Sequence, residues 1–119
     1  MILLVDDDPD NQFLLKRFLN KRFPDNKVTA LHNCAEATQL LASPQQKILV
    51  THGRTSERGG IDFVSFARGE HAIPVVMVSL REELKQKALD AGVVAFVETG
   101  DDEEISSAVA RAFDRLPRS

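Results

Sequence analysis

No uninterrupted apolar run in the 119 residues approaches the roughly 18 that a membrane-crossing helix requires. Met1 leads directly into "ILLV" and three aspartates, with neither a basic stretch nor a small-residue cleavage site, so no secretory leader is read and a cytoplasmic protein is expected. Cysteine is nearly absent: Cys34 stands alone, which excludes an internal disulfide and a Cys-rich zinc site and reads as a small half-buried side chain. An excess of basic residues is missing too. With 15 Lys and Arg against 18 Asp and Glu, a net charge of −3 and a pI near 5.6, the chain lacks the basic stripe that neutralises phosphates, and direct nucleic-acid binding is disfavoured. Internal repeats and low-complexity linkers are also lacking. The length suits one packed core and not two, so residues 1–119 are expected to form a single domain with a fraying tail at 116–119.

What is present alternates between two periods. Residues 2–5 (ILLV) are a short apolar run ending in acids, the pattern of a strand buried on both faces of a parallel sheet. Behind the start signals Pro9 and Asp10, the residues Leu14, Leu15, Phe18, Leu19 and Phe23 recur at helical spacing until Pro24 stops them. Residues 27–31 give a second strand and 34–42 a second helix, ended by Ser43 and Pro44. Residues 47–50 (KILV) are the third strand, with Thr51 and His52 at its end, where the loop "HGRTSERGG" begins; a helix over 61–68 follows, with Ile61, Val64 and Phe66 available to the core. Residues 73–79 are the most strand-like stretch, with Pro74 where no ladder donor is lost. An amphipathic helix over 80–91 closes at Gly92, and 93–98 form a fifth strand. The last helix carries Ile105, Val109, Ala112, Phe113 and Leu116 on one face. Asp101, Asp102, Glu103 and Glu104 at its start and Arg111 and Arg115 near its end complement the helix dipole.

Five strand–helix pairs imply an α/β domain of three layers around a parallel sheet. In such sheets ligands bind at the carboxyl ends of the strands, at the switch point of the winding. The residues expected there are Asp6, Asp7 and Asp8, then Thr51 and His52, Ser79, and Glu98 and Thr99.

Over essentially its whole length the chain resembles the receiver domains of two-component response regulators, through "ILLVDDDPDN", "GIDFVSFAR", "IPVVMVS" and "ALDAGVVAFV". The resemblance implies a flavodoxin-like (βα)5 domain with a five-stranded parallel sheet of order 2-1-3-4-5. It also implies a chemistry. An aspartate ending the third strand accepts a phosphoryl group from a kinase histidine, and magnesium is held by that aspartate, an acidic pair after strand one and a loop carbonyl. A lysine after strand five neutralises the phosphoryl group, and a hydroxyl and an aromatic residue relay the change. Carried over, Asp6 and Asp7 match the acidic pair, Ser79 the hydroxyl and Phe96 the aromatic switch position. Counting eight residues back from Gly60, the phosphoacceptor position falls on His52, and the Lys-Pro pair falls on Thr99-Gly100. No Asp or Glu lies between Lys47 and Glu57, so the missing acceptor carboxylate does not depend on register.

Magnesium favours octahedral oxygen ligation, and here a nitrogen base replaces one carboxylate while the lysine counter-ion is gone. The implied site is therefore degenerate: no aspartyl phosphorylation, no enzymatic activity, and magnesium binding weak or absent, with Asp7 the remaining candidate ligand. Other readings stay open. Asp6, Asp7 and Asp8 serve equally as a turn and helix cap. His52 with Asp6 and Asp7 would suit zinc or manganese, or His52 would itself carry phosphate. As a lock, a protonated His52 on a rim open to water would hold the two carboxylates in place of the cation. Phe96 fits a core aromatic as well as a switch, and Ser79 an N-cap whose capping box is completed by Glu82. His32 and His71 read as surface residues.

The expected function is a pseudo-receiver: a phosphorylation-independent module of a two-component or phosphorelay pathway, acting through protein contacts. Its partners would be other signalling proteins, such as a histidine kinase or an output domain. A homodimer would form through the face of the fourth helix, fifth strand and fifth helix, carrying Arg81, Lys85, Phe96, Glu98 and Arg111; neither membrane nor nucleic acid is expected. The alternatives are a receiver phosphorylated at an unrecognised residue, or a metal-binding or dimerisation domain of a longer regulator.

Overall fold

The three most apolar runs of the chain become the three central strands. In the computed structural model, which describes residues 1–6, 8–52 and 59–116, β1 (Ile2–Val5), β3 (Ile48–His52) and β4 (Val75–Ser79) are buried at every position. The more mixed β2 (Val28–Leu31) and β5 (Ala95–Glu98) lie at the edges. All pairings are parallel and the order is β2-β1-β3-β4-β5, the flavodoxin-like arrangement expected. Each fully buried Leu, Ile or Val of the central strands is worth roughly 1.5–3 kcal/mol of apolar burial.

Strand alternation divides these residues between two faces. Leu3, Val5, Leu49, Val75 and Met77 meet α2 (Cys34–Leu41), α3 (Gly59–His71) and α4 (Lys85–Ala91). Ile2, Leu4, Ile48, Val50, Val76 and Val78 meet α1 (Pro9–Arg22) and α5 (Asp102–Asp114). Arg22 Nε donates to Ser106 Oγ at 2.7 Å and the Phe23 and Phe113 rings lie 5.8 Å apart, so α1 and α5 are tied side by side on their shared face.

Several local expectations are corrected. Leu14 is 63% exposed, because the inward stripe of α1 is Gln12, Leu15, Phe18 and Leu19. On α3, Phe63 is the buried aromatic; Phe66 lies at 38% exposure, one residue off the inward positions Phe63, Val64 and Ala67, with its ring edge-on to half-buried His71. The Ser79–Glu82 capping box does not form: a 3₁₀ turn over Glu82–Leu84 precedes α4, and the Ser79 hydroxyl instead accepts the Arg81 N–H at 3.0 Å. Leu116 packs on the α1/α5 face, as expected from its place on the apolar stripe of the last helix; residues 117–119 lie outside the described residues. Gly92 does end α4, at φ +100°.

Candidate functional site at the carboxyl ends of the strands

The winding reverses between β1 and β3: the chain passes from β1 outward to β2 and returns to the other side of β1. Val5 is level with Thr51, so Asp6 and His52 are the next residues out on adjacent strands, at the switch point. His52 pairs with Val78, which pairs with Val97, and Thr99 follows two residues later on the same face. Period-two alternation thus directs Asp6, His52 and Thr99 toward α1 and α5, and carries Ser79 with Met77 toward the opposite face.

The first of these is held by local structure. Asp6 is fully buried; its Oδ1 accepts the Asp8 N–H at 2.9 Å, and its own N–H donates to the Leu31 carbonyl at 3.2 Å. Asp8 is the N-cap of α1, accepting the N–H groups of Asp10 and Asn11. Asp6 and Asp8 therefore do supply a turn and a cap. Asp7 lies outside the described residues, as does most of the loop after His52. Gln12, which sequence reasoning passed over, is buried and donates to the Leu31 carbonyl at 2.7 Å and the Asp6 carbonyl at 3.3 Å, tying α1 to the tips of both strands. Its position on the stripe of Leu15 and Leu19 was the available signal.

His52 is only 4% exposed, which corrects the expectation of a rim open to water. Its Nε2 forms a hydrogen-bonded pair with Thr99 Oγ1 at 3.3 Å. The residues that the resemblance sets at the phosphoacceptor and lysine positions thus touch one another. Gly100, where the resemblance would have proline, has φ +93° in a turn closed by the Asp101 N–H on the Glu98 carbonyl. Proline, fixed near −65°, cannot occupy that conformation. Asp101 then caps α5 through the Glu104 N–H, at the acidic start read from the sequence.

Between α1, the strand ends and the start of α5 lies a cavity of about 330 Å³. Leu14, Leu15, Phe18, Val78 and Ile105 form its apolar wall; Asp6, Asn11, His52, Thr99 and Asp102 supply its polar groups. Ser79 and Phe96 do not line it. Phe96 is half-buried against the α2–α4 face. Among the described residues no three His, Cys, Asp or Glu side chains are grouped to hold a metal ion.

Known proteins share the fold on which these residues are set. The family model for the response regulator receiver domain matches residues 2–110. An uncharacterised 14.6 kDa protein of the sodA1 3′ region in Leptolyngbya boryana is 35% identical over 97 residues, 76% of this chain and 72% of that protein. Among solved structures, FixJ-N superposes with a TM-score of 0.88 at 20% identity, covering 99% of this chain and 96% of that one. The receiver domain of a sensor histidine kinase from Pseudomonas aeruginosa, with magnesium coordinated in its active-site cleft, gives 0.80 at 19% identity over 95% and 96% of the two chains. The two structural likenesses are of fold.

Proposed function

This chain belongs to the response regulator receiver domain family of two-component signalling, and from that premise we propose that it signals without phosphorylation, as a pseudo-receiver. The observation that carries the reading is the contact of His52 with Thr99: at the end of β3 the acceptor carboxylate is replaced by a buried imidazole, and the phosphate-neutralising lysine is replaced by the hydroxyl bonded to it. With neither nucleophile nor counter-ion there, the step in which an aspartate attacks phosphorus has no starting group and its equatorial oxygens have no fixed cation.

Magnesium would have to be held by Asp6 with Asp7, an oxygen set short of one carboxylate, so binding is weak or absent. His52 and Asp6 line the same cavity, which supports the imidazole as a lock standing where the family's chemistry would occur. The metal-binding alternative and phosphorylation at another residue are not favoured. Receiver domains interact with histidine kinases and output domains, and this one is read as doing so from the α4–β5–α5 face, as a homodimer or with such a partner. That face exposes Arg81, Lys85, Glu98 and Arg111 beside Leu89. Arg81 Nε donates to Glu83 at 2.9 Å; the Glu83 backbone N–H first and Arg81 second hold that carboxyl below its ordinary 4.5. No helix among the described residues is long and apolar enough to cross a membrane, and the module is read as cytoplasmic and non-enzymatic.

The test is mass measurement after incubation with acetyl phosphate and magnesium. The wild type should gain no phosphoryl group, and the double variant His52→Asp/Thr99→Lys should gain one that hydroxylamine removes. A phosphoryl adduct on the wild-type chain would overturn the reading.

A further inference from the structure

The cavity beside His52 is lined, among the described residues, by no lysine or arginine. In the arrangement implied by the family resemblance, a lysine at position 99 would extend into this part of the site and hold an anion. Threonine is shorter by several atoms, and its hydroxyl is turned to His52, so the space is open and its fixed cation is gone. At about 330 Å³ the opening is at the small end of ligand pockets, which run roughly 300–1,000 Å³. It also lies where open α/β sheets bind ligands, at the switch point.

The walls select the ligand. Leu15, Phe18, Val78 and Ile105 offer an apolar floor for a compact hydrocarbon body, and exposed Leu14 extends that floor to the mouth. Among the described residues the carboxylates that line the cavity are Asp6, buried at the end of β1, and Asp102, exposed at the start of α5. These two carboxylates outweigh the half-charge of about +0.5 at the start of α5. Half-buried Asn11 and Thr99 add uncharged hydrogen-bonding groups between floor and mouth.

We propose that this cavity is a binding site for a small organic cation, an amine on a compact apolar body of about one ring, with the ammonium toward Asp102 and Asn11 and the body on the Leu15–Phe18–Ile105 floor. The family's anion-binding corner has, in this chain, changed the sign of the ligand it accepts. The inference goes beyond the proposed function and does not depend on it, since a phosphoryl adduct and an amine are read by different measurements.

Titration of the full chain, followed by backbone amide NMR, tests it with three probes that share one body: 2-phenylethylamine, 3-phenylpropionate and 2-phenylethanol. The amine should give saturable shifts at Asn11, Thr99, Gly100 and Ile105, binding about tenfold or more tighter than the carboxylate, the equivalent of about 1.4 kcal/mol. Thr99→Lys should abolish amine binding, because it returns a cation and fills the space. Asp102→Asn, at an exposed position that does not endanger folding, should weaken it about threefold, the scale of an exposed charge pair. Three results would overturn the proposal: no amine shifts at those amides up to about 10 mM, where affinity is negligible; equal or tighter binding of the carboxylate; or undiminished amine binding in Asp102→Asn, which keeps the test decisive if Thr99→Lys does not fold.

Discussion

Strand β3 is preceded by a buried cation and ends on a buried imidazole, and the two ends differ in what surrounds the titratable group. Lys47 and His52 are equally hidden, each 4% exposed. At the amino end, Lys47 Nζ donates to the carbonyls of Ser43 at 2.7 Å and Leu41 at 3.3 Å, where α2 finishes and its carbonyls lack helical partners. Burial pushes its ammonium below the ordinary 10.5. The nearby Met1 ammonium is likewise pushed below 8.0, by burial first and by Lys47 second. At the carboxyl end, His52 meets the side chain of Thr99, just past the end of β5, and borders a cavity shared with α1 and α5. Depth is the same at both ends. What distinguishes a structural group from a site is whether its polar atoms are consumed by nearby backbone or face a space where elements far apart in sequence converge.

The comparison breaks first at Lys47. Replacing it by Ala removes a packed stem and leaves two carbonyls short of a donor, and should cost about 3 kcal/mol in denaturant unfolding. His52→Ala should cost less, about 2 kcal/mol, because the space it vacates opens into an existing cavity and no second void is made. A larger loss at His52 than at Lys47 would mean that the carboxyl end is the structural one.

The pH dependence sharpens the contrast. Since the folded-state value of Lys47 lies below the unfolded one, the folded chain binds fewer protons between the two values, and stability rises with pH there. Lys47→Met keeps the stem and removes that titration. Its deficit should be about 1 kcal/mol near neutrality and should grow as pH rises through the lowered value toward 10.5. Urea melts of both proteins across that range decide it, and a deficit that shrinks with pH contradicts the burial argument. The smallest effect belongs to Thr99→Val, which removes the hydroxyl beside His52 and should cost about 0.5 kcal/mol. In the His52→Ala background the same change should cost close to nothing, and a full additive loss would deny the coupling.

Much of this was legible in the chain. The order of strands and helices followed from periods of two and 3.6, because a sheet buried on both faces needs unbroken apolar runs and covering helices need one apolar stripe. The convergence of Asp6, His52 and Thr99 was legible from the resemblance and from strand ends. Less was readable where a single residue's angle on a helix decides. Leu14 and Phe66 satisfy the apolar count, yet each lies just off the inward stripe, and Gln12 occupies a place that composition assigns to an apolar side chain. Lys47 gave no signal, because its two acceptors exist only once α2 has ended beside β3.

The amino-acid sequence by itself determined the fold class, that no Asp or Glu stands between Lys47 and Glu57, and that position 99 holds a threonine, since residue type and order are covalent facts. Tertiary structure alone decided that His52 is sheltered rather than washed by solvent, that one of its partners is Thr99, 47 residues away, and that both border a cavity lined also by Asp6 and Asp102. The reason is physical. Exposure, hydrogen-bond pairing and empty volume belong to the distances between strands and helices, and those distances arise only when both faces of the sheet are packed.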